Sequence, residues 1–505
     1  MTSTRTLDWL FALGRDDAVA IAAPDATPLT YYSLRALIAE TIPSLNRFGI
    51  GRNDRVAIVL PNGPEMGTAF IAIASGATSA PLNSAYRADE FEFYMSDLGA
   101  KALVVEQGSA SPVIGAAKKL GIVVLTLTPD PKRGAGAFTL SGGTKGAAAR
   151  PGFAEPEDVA LILHTSGTTS RPKIVPLTQS NVVVSAGNIA RTLEFTEADR
   201  GLNVLPLFHI HGLIAGLLAP LSHGGSVFCT PGFNALKFFT WMGESKPTWY
   251  TAVPTMHQAI LTRAGHNKDV ITRHPLRFIR ASSSSLPPQV IAELEATFHA
   301  PAIEAYGMTE AAHQMASNPL HGVRKPGSVG LAAGPEVAIM DENGNLLGAG
   351  EVGEIVIRGD NVTAGYENNP KANAEAFVNG WFRTGDQGIK DADEYISLTG
   401  RLKEIINRGG EKVSPREVDE ALMDHPAVLQ VVTFAMPHDK LGEDVAAAVV
   451  LREGATATEQ ELRSFLSGRL AAFKTPRKII LLTEIPKGAT GKLQRIGLAQ
   501  KLGLG

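Results

Sequence analysis

The sequence predicts an α/β protein with an α+β lid: a large N-terminal domain over 1–400, made of layered α/β subdomains plus a β subdomain, and a small C-terminal domain over 401–505. Three observations carry that expectation. The chain has 505 residues, too many for one ordinary domain. Short apolar runs alternate with helical patterns over 10–115 and again from 201 onward, the order expected of parallel strands joined by helices. A glycine-rich, charged segment at 400–415 then separates this long pattern from a remainder with its own order of helices and strands.

Taken in order, Tyr31, Ser33, Leu34, Leu37 and Ile38 fit one face of a helix. Residues 56–60 fit a short buried strand, opened by Asp54 and Arg55 and closed by Pro61, Asn62 and Gly63. A helix with small, closely packing residues follows at 65–75, and 102–105 and 122–125 are further strands. The stretch 129–157, rich in Gly, Pro, Ala and Lys, reads as a surface excursion. Residues 159–163 read as a buried strand and 165–173 as the loop after it. A strand at 202–205 leads to His209 and His211, which would share one side if the strand continued. Residues 249–256 read as a strand ending in a proline turn before a helix, and 277–280 as another strand. Four serines, 282–285, then precede a proline-initiated helix at 289–298; this suits an anion, or simple capping, for which one serine is enough. A hairpin signal at 341–345 and strand alternation at 351–359 mark the β subdomain, and Asp386 follows Gly385 in an expected turn. In the lid, 415–423 and 459–470 read as helices, 428–435, 445–451 and 479–482 as strands, and 486–495 as an exposed loop carrying Lys487 and Lys492.

Composition narrows the function classes. Hydrophobic residues make up 44% and charged residues 19%, with a formal net charge of -3 and no long Lys/Arg block, which argues against disorder and against a nucleic-acid partner. The single cysteine, Cys229, excludes an intrachain disulfide framework and sits beside Val227 and Phe228, where a buried, unreactive thiol is expected. Residues 1–6 lack the apolar run of a signal peptide, 212–220 is too short and is broken by Gly216 for a membrane span, and 501–505 is not a Ser-Lys-Leu address. A cytoplasmic protein without membrane insertion is expected.

Two segments carry chemistry most directly. Thr165, Ser166, Gly167, Thr168 and Thr169 lead to Arg171 and Lys173 around Pro172. Such a loop can wrap phosphate with backbone N–H groups, hydroxyls and one mobile ammonium; a Ser/Thr-rich surface turn is the plain alternative. The GxxxxGK[ST] spacing is absent, so no P-loop is expected. Glu304, Ala305, Tyr306, Gly307, Met308, Thr309 and Glu310 bring together an aromatic ring able to cover a purine and a carboxylate able to hold Mg²⁺ near a triphosphate. His209, His211 and His223 lack the spacing of a metal set, so one packing and one pocket-lining histidine are expected.

Five segments in order, 165–173, 306–310, 384–386, 400–415 and 487–495, resemble the signatures of the adenylate-forming superfamily: acyl-CoA synthetases, luciferases and peptide-synthetase adenylation domains. The resemblance covers nearly the whole chain, and without carrier or condensation regions it is more like the stand-alone acyl-CoA synthetases. Within these, 206–213, the serine run and 306–320, above all the run from His313 to Pro319, resemble the oxalate–CoA ligase branch. Plant members of that branch often show alanine where this chain has Gly307. Plant and yeast members also tend to end in a peroxisomal address, which this sequence lacks.

The resemblance implies an AMP-forming acid–thiol ligase working in two steps. An acid attacks the α-phosphorus of ATP, giving an acyl-adenylate and pyrophosphate; the CoA thiol then attacks the adenylate and releases AMP. It implies that Thr165, Ser166, Gly167, Thr168, Thr169 and Lys173 hold the β/γ-phosphates, that Ser284, Glu304, Ala305 and Tyr306 surround the nucleotide with Tyr306 on adenine, and that Asp386 and Arg401 fix the ribose. Thr309 would approach the α-phosphate, Glu310 would hold Mg²⁺, and Lys492 would stabilise the transferring group. Lys403 would be the pivot of a mobile small domain, and Gly409 and Gly410 would line the pantetheine tunnel. His211, Ser283 and His313 would donate to the distal carboxylate of a small polar acid, whose unpaired charge would otherwise cost several kcal/mol. Malonate is one methylene longer than oxalate, a difference of only about 1–3 kcal/mol. The expected partners are therefore a small carboxylic acid, ATP and coenzyme A, in a monomer or weak homodimer. The alternatives are malonate, a short- or medium-chain or aromatic acid, a carrier-protein acceptor, and a non-catalytic nucleotide-binding or scaffold protein. The last fits poorly with Glu310, Asp386, Arg401 and Lys492 all being present.

Overall fold

The structure is a computed structural model that describes residues 5–165, 172–487 and 493–504. Among the described residues four sheets form. Two are the expected α/β layers. In one, Ala102–Glu106, Arg55–Val59, Thr78–Pro81 and Val159–Thr165 run parallel. In the other, Val19–Ala22, Ser226–Cys229, Arg200–Asn203, Trp249–Ala252, Phe278–Ala281 and Ala302–Met308 run parallel. Apart from Val19 and Val159 at their starts, the valines, leucines and isoleucines of these strands are buried on both faces, as strands covered by helices must be. Pro64–Ala74 is one covering helix, buried from Met66 to Ala74. The third sheet is the antiparallel β subdomain, with Glu336–Met340, Val352–Arg358, Trp381–Lys390 and Ile396–Arg401.

The fourth sheet, Ile406–Arg408, Glu411–Val413, Val428–His438, Gly442–Leu451 and Lys478–Leu481, makes the small C-terminal domain with helices Pro415–Met423 and Glu459–Ser467. Its core (Val413, Val418, Leu422) is continuous with one face of the sheet that contains Ile279. Polar contacts tie it to two core helices: the Gln258 amide donates to the Leu429 carbonyl at 3.0 Å, Gln430 donates to Gln258 at 3.0 Å, and Gln289 donates to Asp424. No helix among the described residues is long and apolar enough to cross a membrane.

The structure corrects four local expectations. The 129–157 stretch is not wholly an excursion, because Phe138–Gly142 pairs antiparallel with Val123–Pro129 and Phe138 is buried beneath it. The strand before His209 does not continue: His211 opens a wide-turned helix, His211–Leu218, buried along its length. A Cβ on Gly216 would lie 2.7 Å from the Asn203 side chain, so this glycine lets the helix sit directly on its strand. The serine run does not cap the next helix. That helix is Pro288–Phe298 with Pro287 at its N-cap position, and Ser282 turns back to donate to the Ala305 carbonyl at 2.8 Å. Asp386 lies inside the strand Trp381–Lys390, not in a turn, and Gly385 before it takes φ +77. That kink turns the Asp386 carboxylate toward its neighbours across the sheet.

Candidate active site

The site gathers at the carboxyl ends of the parallel strands, where open α/β sheets bind ligands. Three groups of residues meet there.

The first group lies around Asp386. Register pairing sets Asp386 opposite Arg401, and the Arg401 guanidinium donates to the carboxylate at 2.9 Å. From the end of Ala302–Met308, the Tyr306 hydroxyl donates to the other oxygen at 2.6 Å. One carboxylate thus joins two segments that the sequence signatures keep 80 residues apart. Burial, reinforced by the Asp386 charge, pushes the Tyr306 phenol well above its ordinary value and keeps it a donor. Glu304, two residues earlier on the same strand, accepts from the Leu286 N–H at 2.9 Å, and burial pushes its carboxyl up to about 7. Ser284 is exposed at the edge of this group, and Ala305 is buried in the strand.

The second group lies around Lys173 and Glu310. Thr165 and Lys173 are register partners on the antiparallel strands Val159–Thr165 and Lys173–Thr178. Ser166, Gly167, Thr168 and Thr169 lie outside the described residues. The Lys173 ammonium sits 4.1 Å above the Tyr366 ring, and the Tyr366 hydroxyl donates to Glu310 at 2.9 Å. Burial pulls Lys173 below its ordinary value; Glu310 opposes that shift and the like charge of Lys403 adds to it. Burial raises the Glu310 carboxyl, against the hydrogen bond from Tyr366 and the charges of Lys173 and Arg401. Thr309 and Glu310 share one short helical turn, Thr309–Ala311, at the end of the strand. A buried carboxylate with a hard oxygen facing a lysine and a phosphate loop fits Mg²⁺ shared with phosphate oxygens. Among the described residues no cluster of three His, Cys, Asp or Glu side chains could hold a metal ion by itself.

The third group is a largely buried polar cluster in the core. Thr251 and Arg280 are register partners on adjacent parallel strands and point to one face. His211 Nε2 lies 2.7 Å from the Thr251 hydroxyl and 3.0 Å from Arg280, and its Nδ1 lies 3.0 Å from the Ser283 hydroxyl. The His211 and His313 rings stack at 4.8 Å, and Arg280 also reaches His313 Nε2 at 3.2 Å and Gln314 Oε1 at 3.1 Å. His211, Arg280 and His313 are all essentially buried. Ser283 and His313 hold φ of +77 and +105, left-handed backbone at two non-glycine residues. At Gly307 a Cβ would stand 2.0 Å from the His313 carbonyl oxygen, so the alanine common in plant relatives requires a shifted His313 strand.

The lid brings Lys403, exposed in a turn after Arg401, and the tight turn of Gly409 and Gly410, with φ of +61 and +99. Lys492 lies outside the described residues; the two sides of its loop pair at Lys487 and Leu493. Arg495 anchors that loop by pairing with Glu404 at 3.2 Å and Asp419 at 2.7 Å, which ties it to the residue after Lys403. Cys229 is buried with its thiol pushed up to about 12, and it takes no part in these groups.

The structure therefore brings Tyr306, Asp386 and Arg401 together, Lys173 next to Glu310, and His211 next to Ser283 and His313. Sequence reading missed Tyr366, Arg280, Gln314 and Thr251. Tyr366 followed a glycine with no motif around it, and Arg280 read only as the end of a strand; an arginine closing an otherwise apolar strand was the available signal.

Comparison with known proteins gives a consistent result. Residues 11–367 match the AMP-binding enzyme family, and residues 417–492 match the AMP-binding enzyme C-terminal domain. An oxalate–CoA ligase of Arabidopsis thaliana is 46% identical over 492 residues, covering 96% of this chain and 95% of that protein. A probable CoA ligase of Humulus lupulus is 48% identical, covering 95% of this chain and 92% of its own length. Among solved structures, ATP-bound MatB of Rhodopseudomonas palustris superposes with a TM-score of 0.87 at 30% identity, covering 99% of this chain and 98% of that one.

Proposed function

The chain belongs to the AMP-binding, adenylate-forming enzyme family, and from that premise we propose that it is an AMP-forming oxalate–CoA ligase. The observation that carries the choice of acid is the buried pocket of His211, Ser283 and His313, a polar, cation-bearing end to an apolar core. A fatty or aromatic acid would bring neither charge nor hydrogen-bonding groups to this end, whereas a second carboxylate brings both. Oxalate and malonate both satisfy the polarity, and the 46% identity to an oxalate–CoA ligase over 96% of the chain favours the shorter acid.

In this reading Asp386 accepts from the ribose hydroxyls while Arg401 and Tyr306 hold it in place, and Tyr306, Ala305, Glu304 and Ser284 form the adenine and α-phosphate side of the site. Thr165, Ser166, Gly167, Thr168, Thr169 and Lys173 hold the β/γ-phosphates. Thr309 donates to the α-phosphate, and Glu310, held by Tyr366, would carry Mg²⁺, which supplies charge neutralisation at the phosphates. One oxalate carboxylate attacks the α-phosphorus, pyrophosphate leaves, and Lys492 stabilises the charge that develops on the transferring group. The boundary between core and lid falls at 400/401. Rotation about Lys403 then withdraws Lys492 and carries Gly409 and Gly410 to the pantetheine tunnel, where the CoA thiolate displaces AMP. ATP, CoA and a small acid are the partners, and the cytoplasm is the proposed location.

The test is to mix the protein with ATP, Mg²⁺, CoA and oxalate and to measure AMP and oxalyl-CoA. Formation of both in equal amounts supports the reading; AMP formation with a fatty or aromatic acid and none with oxalate removes it.

A further inference from the structure

Arg280 is fully buried, yet among the described residues no carboxylate pairs with it. Among the described residues its Nη1 reaches His211, its Nη2 reaches His313 and Gln314, and its Nε has no hydrogen-bond partner. A buried charge without a counter-ion is unfavourable unless something else supplies the opposite charge. Guanidinium nitrogens only donate, so the atoms they face must accept. His211 Nε2, between Arg280 and the Thr251 hydroxyl, therefore carries no proton, and neither does His313 Nε2. Each neutral ring then keeps its proton on Nδ1. For His211 that proton points at Ser283, 3.0 Å away, which leaves the Ser283 hydroxyl hydrogen for another acceptor. Two imidazolium rings stacked at 4.8 Å beside a guanidinium would place three like charges in one buried volume, and neutral rings avoid this. The left-handed backbone at Ser283 and His313 shows that the surrounding fold holds this arrangement in place.

We propose that Arg280 is the positioning residue of the acid pocket: it fixes His211 and His313 as neutral, Nδ1-protonated imidazoles, and its unpaired charge selects an acid that carries a second carboxylate. The positive charge that receives the distal carboxylate is thus the guanidinium's, delivered through the two rings and Ser283, and not an imidazolium's. The selection half of this proposal rests on the oxalate reading above; the tautomer half does not.

Two measurements test it. Long-range ¹H–¹⁵N correlation spectra of the histidine-labelled wild-type protein should show the Nδ1–H pattern for His211 and His313, assigned by single substitutions; an Nε2–H or doubly protonated pattern overturns the proposal. Arg280→Gln should raise KM for oxalate on the order of 100-fold while changing KM for ATP and the use of acetate less than about fivefold, and Arg280→Lys should recover at least about tenfold of the loss. Equal losses with oxalate and acetate, or a loss confined to kcat with no recovery in Arg280→Lys, would reduce Arg280 to a packing role and overturn the proposal. Should Arg280→Gln fail to fold, the wild-type spectra decide the tautomer half and Arg280→Lys the selection half: a greater loss with oxalate than with acetate supports it, and equal losses overturn it. Wild-type turnover of another acid without any turnover of oxalate would sink the oxalate reading while leaving the spectra to judge the tautomers.

Discussion

The acid pocket and the seat of the lid are built in opposite ways. In the pocket, Arg280, His211 and His313 are buried, and strands or left-handed backbone hold each of their partners. The lid seat uses amide side chains: Gln258 and Gln289 from the core meet Leu429, Gln430 and Asp424, and the connecting Lys403 is exposed. Neutral amide contacts at a domain boundary are exchanged more cheaply than a buried charged network is rearranged. The contrast teaches a division of labour. In the proposed mechanism the buried core selects the acid, and the C-terminal domain times the two half-reactions.

The sharpest way to break that division is Lys492→Ala. It should lower adenylate formation on the order of 10²–10³-fold, the usual cost of removing one charge-stabilising donor, yet spare thioester formation from supplied adenylate. Pyrophosphate exchange and single-turnover thioester assays read the two steps separately, and equal loss in both would take Lys492 out of the first step. Next in size is His313→Ala. Removing the ring that Arg280 faces at 3.2 Å should raise KM for oxalate on the order of 10–100-fold while KM for ATP stays within about threefold. An unchanged KM for the acid would move His313 out of the pocket.

A smaller effect is expected at Tyr366→Phe. The hydroxyl hydrogen bond favours the ionised form of Glu310, whose carboxyl burial already raises. Without that bond the Glu310 pKa rises further, so the low-pH limb of the adenylation rate should move to higher pH. At neutral pH the loss is about fivefold, the worth of about 1 kcal/mol for one hydrogen bond. A pH–rate profile checks both, and a limb that stays in place or moves to lower pH would detach Tyr366 from Glu310.

The same contrast governs what the sequence revealed. The layered α/β order, the β subdomain and the lid were legible because apolar period and turn residues are local signals; Val159–Thr165 and Pro415–Met423 are cases in point. The phosphate hairpin and the 304–310 signature were legible as motifs, and the structure places Lys173 beside Glu310 and Tyr306 against Asp386. Asp386 was read as a turn residue because Gly385 precedes it, while pairing with Arg401 holds it in a strand. The serine run was read as an anion-binding helix start, but Ser282 is drawn back to the Ala305 carbonyl and Ser283 to His211. Arg280 offered only the weak local signal of an arginine in an apolar strand, and its pairing with Thr251 comes from parallel register between strands about 30 residues apart in sequence, which no local pattern encodes.

The most direct test of the central claim is the ATP–pyrophosphate exchange rate, without CoA, for oxalate, malonate, acetate, hexanoate and coumarate, measured in wild type and in Lys403→Pro. Proline at the pivot should cut the CoA step by at least about tenfold through the lost hinge freedom and leave adenylation running. The division of labour predicts the same ranking of acids in both proteins, with oxalate first. A ranking that changes when the hinge is stiffened would show that the lid helps choose the acid, and would contradict the claim that selection belongs to the core.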